Sequence, residues 1–193
     1  MKVRKFLLAG ALLVASLFSV NSVMADGETS DQVTVNLKFR PVQSIVVATG
    51  TKEVNIIYAN NDDYTGTTGM SKTVNDHLEI FSTGGFLVTV KAESDFISSS
   101  TGAVAIPASD VKVTATTGTD NGNNYGTGGL PEVVLSNTVA KNFIASGTGG
   151  SALKFNVKYD NYGGADGKYI NKYIHDDAET VYTATVTYTI ATN

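Results

Sequence analysis

The segment QVTVNLKF (residues 32–39) alternates without a slip, and VYTATVTYTIATN (residues 181–193) does the same at the other end of the chain. In the first, Val33, Val35, Leu37 and Phe39 share one side, and Thr34, Asn36, Lys38 and Arg40 the other. Period two over eight residues predicts a half-buried strand, with Pro41 as its end or the mark of an edge. In the second, Tyr182, Ala184, Val186, Tyr188 and Ile190 oppose Thr183, Thr185, Thr187 and Thr189.

The chain between them carries the same signals. QSIVVAT (43–49) and EVNIIYA (53–59) flank GTK and read as a hairpin. Further strands are expected in DHLEIFS (76–82), FLVTVKAES (86–94), PASDVKVTAT (107–116), PEVVLS (131–136) and ALKFNVKYD (152–160). AKNFIAS (140–146) suits a strand or one turn of helix. Gly- and Asn-rich loops divide them, and no stretch of ten residues has helical spacing. These signals predict an all-β fold, an Ig-like antiparallel β-sandwich of eight to ten strands, with a closed barrel as the alternative. No internal repeat or linker divides the chain.

Residues 1–25 read as a signal peptide: MKVRK is basic, FLLAGALLVASLFSV is apolar, and Val23 and Ala25 precede a cut before Asp26. The apolar run is shorter than the roughly 20 residues that cross a bilayer. Residues 26–193 are then expected to be a single secreted domain without a membrane span. The leader takes three of the 14 basic residues with it, leaving 11 against 18 acidic. That balance argues against a nucleic-acid partner, which needs a basic face. There is no cysteine, so packing and backbone pairing hold the domain together, and thiol chemistry is excluded.

Catalytic patterns are missing. No H-E-x-x-H or G-x-S-x-G occurs, and the glycine clusters lack the lysine and the strand-to-helix setting of a phosphate cradle. His77 and His175 are expected to be solvated surface histidines. The loop oxygens that could suit calcium are those of Asp62 and Asp63, of Asp120 with Asn121, Asn123 and Asn124, and of Asp160 with Asp166. Each loop offers at most two carboxylates, and turn chemistry explains them, so no cofactor is expected. Tyr162, Tyr169 and Tyr173 flank the last long loop, and Tyr125 lies in another; they suit either a sugar-stacking surface or simple packing.

An alternating segment can also be lent to a neighbour. Strand addition supplies main-chain hydrogen bonds, and alternate side chains fill pockets, with Val33, Val35, Leu37 and Phe39 as the plugs. Pattern alone leaves open whether this strand pairs within its own domain or is exchanged.

On QVTVNLKF, the mid-chain GGFLVTVKA (84–92) and the C-terminal YTATVTYTI (182–190), the chain resembles a bacterial fimbrial major subunit, of the cysteine-free pilins built by chaperone and usher. The resemblance implies an Ig-like subunit lacking one strand, with residues 32–39 as donor. It also implies that Tyr182, Ala184, Val186, Tyr188 and Ile190 border the acceptor groove. The partners so implied are copies of the chain or related subunits, with a periplasmic chaperone and usher. The function expected is a non-enzymatic structural subunit of a cell-surface fibre. The second expectation is a secreted module that binds carbohydrate or a host surface.

Overall fold

The computed structural model describes residues 30–119, 121, 125, 129–175 and 178–193. The leader, Asp120, Asn123, Asn124, Asp176 and Asp177 lie outside the described residues. The chain divides into two compact units, residues 1–38 and 39–193.

The larger unit is an all-β antiparallel sandwich. Its strands are β1 (Gln43–Val47), β2 (Met70–Ser82), β3 (Phe86–Ala92), β4 (Lys112–Thr117), β5 (Glu132–Val134), β6 (Lys141–Ser146), β7 (Gly150–Asn161) and β8 (Val186–Thr192). One sheet runs β1-β2-β7-β4-β5 and the other β6-β3-β8. In an Ig constant-type sandwich the sheets run A-B-E-D and C-F-G. Here β1, β2, β7 and β4 take the places of A, B, E and D, and β3 and β8 those of C and F. Beside β8, where G would lie, there is no strand among the described residues.

The alternation builds the core. Phe86, Val88, Val90 and Ala92 of β3 face Leu78 and Ile80 of β2, Val113 and Ala115 of β4, and Leu153, Phe155 and Val157 of β7, all buried. Phe143 and Ile144 of β6 close one side of that core. AKNFIAS is therefore strand, not helix, as two consecutive buried residues on a bulged ladder with β3 allow.

Two expectations fail. EVNIIYA forms no second arm of a hairpin. After β1 the chain turns at Ala48–Thr51, and β1 pairs with β2 instead, Gln43 opposite Ser82 and Val47 opposite Leu78. A short helix, α1 (Asn61–Thr65), then begins in the polar connection, capped by Asn60, whose side chain accepts from Asp63 N while the Asp63 carboxylate accepts from Asn60 N. The first alternating segment is not a half-buried strand either. Residues 30–42 belong to no sheet, and Val33, Leu37 and Phe39 are 84%, 79% and 91% exposed. Alternation specifies which side chains share a face. It does not specify which chain supplies the other face.

Phe155 is the largest fully buried side chain on the central strand β7. Phe155→Ala is expected to cost about 3–5 kcal/mol, read as a lowered urea midpoint; a midpoint within error of wild type would contradict this core.

Candidate functional site

The candidate site is the outer edge of β8. The β3–β8 ladder pairs Leu87 with Ala191, Thr89 with Thr189 and Lys91 with Thr187. It continues beyond the strand as Glu93 N to Thr185 O at 2.8 Å, and at the other end as Asn193 N to Gly85 O at 3.3 Å. The odd-numbered residues of β8 therefore spend their backbone groups on β3. The N–H and C=O groups of Val186, Tyr188 and Ile190 point the other way and meet no partner among the described residues. Their side chains face the core but stay only half-buried, whereas those of β3 opposite are fully buried. A row of unpaired backbone above half-covered apolar side chains is a template for another strand.

Two of the other three sheet edges, those of β6 and β5, are treated differently. β6 is covered where Ala145 N donates to Gly129 O at 2.9 Å, and β5 is only three residues long and carries Glu132. Short, charged or covered edges are the usual protections.

A second unpaired stretch precedes α1. Val54, Ile56 and Tyr58 turn inward while Glu53, Asn55 and Ile57 are exposed, and Val54 and Ile56 pack on the core. The alternation is that of a strand, yet the backbone of residues 52–57 hydrogen-bonds to no other described residue.

A polar relay joins the head of this stretch to β8. His77 was expected on the surface and is instead 2% exposed. The cause is a bulge: Val74 and Leu78 of β2 oppose Val157 and Phe155 of β7, so three residues face Asn156 alone. Asp76 takes a left-handed φ of 47° and is held there by its N–H on Asn156 Oδ1 and by its carboxylate on Thr119 N, both at 2.8 Å. The turn swings His77 inward beside Leu78. Its Nδ1 lies 3.1 Å from Thr51 Oγ1 and its Nε2 2.8 Å from Tyr159 Oη. Tyr159 Oη lies 2.7 Å from Tyr188 Oη on β8. Thr51 Oγ1 donates its proton to Ala48 O at 2.9 Å, so it accepts from Nδ1–H. Nε2 then accepts from Tyr159, and Tyr159 accepts from Tyr188. Desolvation pushes the Tyr159 phenol up to about 12 and that of Tyr188 well above its ordinary value. Both are neutral donors at physiological pH. The adjacent Asn75 and Asp76 were the only signal of a bulge in the sequence, and they also suit an ordinary turn.

The expected acceptor residues divide at Val186. Val186, Tyr188 and Ile190 lie in β8. Tyr182 and Ala184 precede it; the Tyr182 hydroxyl donates to Lys172 O at 3.0 Å.

The tyrosines of the last loop are not gathered on one surface. Tyr169 is 4% exposed and donates to Asp110 Oδ2 at 2.8 Å, and Lys168 Nζ reaches the same oxygen at 2.7 Å. Asn161 Nδ2 donates to Tyr169 Oη, and Tyr58 Oη donates to Asn161 Oδ1. Burial and the neighbouring Asp110 carboxylate keep the Tyr169 phenol protonated, well above its ordinary range. Gly163 passes so close to Asp110 that a Cβ there would overlap its side chain. Tyr162 donates to Ser109 O at 2.7 Å with Lys112 Nζ over its ring. Tyr173 is half exposed, and Tyr125 packs edge-on against Phe155. Tyr169 and Lys168 tie the loop to Asp110, and Tyr169 has no face left for a ligand. Among the described residues no three His, Asp or Glu side chains gather as metal ligands, and no helix is long and apolar enough to cross a membrane.

No family model matches the chain, and no curated protein matches it.

Asp110→Ala takes away the acceptor of the buried Tyr169 hydroxyl and the partner of Lys168. A loss of about 1–3 kcal/mol is expected. The chain has no tryptophan, so tyrosine emission during urea unfolding reads the change directly. An unchanged midpoint would mean that the corner is not under tension from these bonds.

Proposed function

We propose that the protein is a non-enzymatic structural subunit of a secreted, cell-surface fibre, assembled when residues 32–39 of one copy pair along β8 of the next. The observation that carries this reading is the backbone edge of Val186, Tyr188 and Ile190, unpaired above half-covered apolar side chains. The missing strand is the one an Ig sandwich places beside F. The same chain carries a strand without a sheet. Its apolar side holds Val33, Val35, Leu37 and Phe39, all largely exposed. Burying such side chains is worth about 1.5–3 kcal/mol each, and added main-chain hydrogen bonds fix the register.

The resemblance to chaperone-assembled pilins supports the same reading and adds its partners. An open edge needs cover before assembly, which is the service of a periplasmic chaperone, and an ordered route out, which is that of an usher. The pairing is head-to-tail, since donor and acceptor are different surfaces, and a head-to-tail contact that does not close on itself yields a filament. The alternative role, a carbohydrate- or host-surface-binding module, has less to stand on, because Tyr169 is spent on Asp110.

The full chain is expected to run as a ladder of multimers on an unboiled denaturing gel and as a single band after boiling. Leu37→Asp places a charge where an apolar plug would be buried and is expected to abolish the ladder with the fold unchanged by circular dichroism. A wild-type chain that stays monomeric under all conditions, or a Leu37→Asp chain that keeps its ladder, would overturn the assignment.

A further inference from the structure

We propose that the end of the sandwich beyond Val186 is the seat on which the base of the next subunit's domain rests, a second contact between copies added to the paired strand. This inference rests on the strand-pairing reading above and names what else of the partner that site meets.

The two ends of β8 differ. Past Thr192, Asn193 N donates to Gly85 O, which also accepts from the Gln43 side chain. Beside it Val42 N donates to Thr83 Oγ1 at 2.9 Å and Thr83 N to Val42 O at 3.0 Å. This end is therefore the base from which residues 32–39 depart. Beyond Arg40 its side chains, those of Pro41, Val42, Thr83, Thr192 and Asn193, carry no charge. At the other end the β3–β8 ladder runs on past Val186 to an isolated pair, Ile97 with Thr183. Tyr182 Oη donates to Lys172 O, Lys172 Nζ to Val104 O at 2.8 Å, and Ile174 N to Thr180 Oγ1 at 2.8 Å. These bonds gather three segments at one end, and on them Ile97, Val104, Ile170, Tyr173 and Val181 are all at least half exposed. Val181 lies two residues from Thr183 on the same exposed side, which makes it a diagonal neighbour of Ile97. Large apolar side chains exposed together mark a contact surface.

Chain length decides what covers it. Residues 33–39 number seven, as do those of β8, so an arm laid along β8 fills it from end to end. Phe39 then lies at one end of β8 or the other. Only Arg40 and Pro41 separate it from Val42, which is fastened to the donor's own base, and two residues span at most about 7 Å. The donor's base must therefore abut the acceptor at whichever end holds Phe39. At the Thr192 end it would meet the root of the acceptor's own arm and leave the apolar end in water. At the Val186 end it covers Ile97 and Val181, and no charged side chain of the base beyond Arg40 has to be stripped of water. The arm accordingly runs antiparallel to β8, with Phe39 beside Val186, and each added copy sets its base on the apolar end of the last.

The test uses the full chain. Wild-type and Val181→Asp multimers are placed in urea and their loss is followed on unboiled gels. Dissociation about tenfold faster is expected for Val181→Asp, as losing one covered side chain from an interface implies. An equal rate overturns the seat and leaves strand pairing intact. Cross-linking reads the placement directly, since the chain has no cysteine of its own and a side chain at Gly84 meets open space. Val181→Cys combined with Gly84→Cys, treated with a short bis-maleimide, is expected to give a ladder that survives boiling, and Gly84→Cys alone is expected to give none. No such ladder from the double variant, or boil-resistant dimers from Gly84→Cys alone, overturns the seat with the pairing untouched. Absence of wild-type multimers removes the pairing reading and this one with it. Should Val181→Asp lower the urea midpoint of the monomeric Leu37→Asp chain, its dissociation rate reports folding, and the cross-links decide.

Discussion

Backbone groups inside a protein must find partners, and on one side of β8 they do not. The rest of the molecule is arranged around that deficit. The five-stranded sheet is complete across its middle, with β7 paired on both sides by β2 and β4. The three-stranded sheet has β3 paired on both sides, with every inward side chain from Phe86 to Ala92 buried. One such shortage lies on the flank where the seventh strand of an Ig sandwich would sit, and there the inward row Val186, Tyr188 and Ile190 is half covered.

Much of this was legible in the amino-acid order. Long period-two runs in β3, β7 and β8 put Phe86, Phe155 and Tyr188 on the core side, and Gly/Asn clusters marked the breaks. The stretch 53–59 shows the limit of that reading. It alternates as cleanly as β1, yet no ladder forms on it, because side-chain periodicity reports which face is buried and is blind to which backbone is paired. The opening segment fails for the same reason: four apolar residues on one side define a face that needs cover, and the cover need not come from the same molecule.

The site was less legible than the fold. His77 sits at an odd position in a strand whose even positions face inward, so periodicity alone places it in solvent. Two extra residues in β2 and one left-handed backbone angle at Asp76 undo that placement. Thr51 lies in a turn and Tyr159 is 82 residues from His77, so nothing local joins them. Tyr169 was misleading in the opposite sense. A tyrosine in a Gly- and Asn-rich loop looks available, but Asp110 sits more than 50 residues earlier in the chain, and only the pairing of β4 with β7 brings it underneath.

The corner around Asp110 gives a cysteine-free chain something else. An ion pair to Lys168, two hydrogen bonds through Tyr169 and the tight passage of Gly163 fasten a long loop to the sandwich as a covalent bridge would. Unlike a bridge, this clasp requires no oxidant, cannot be mispaired, and closes again each time the chain refolds. Its integrity is therefore indifferent to the thiol balance of its surroundings.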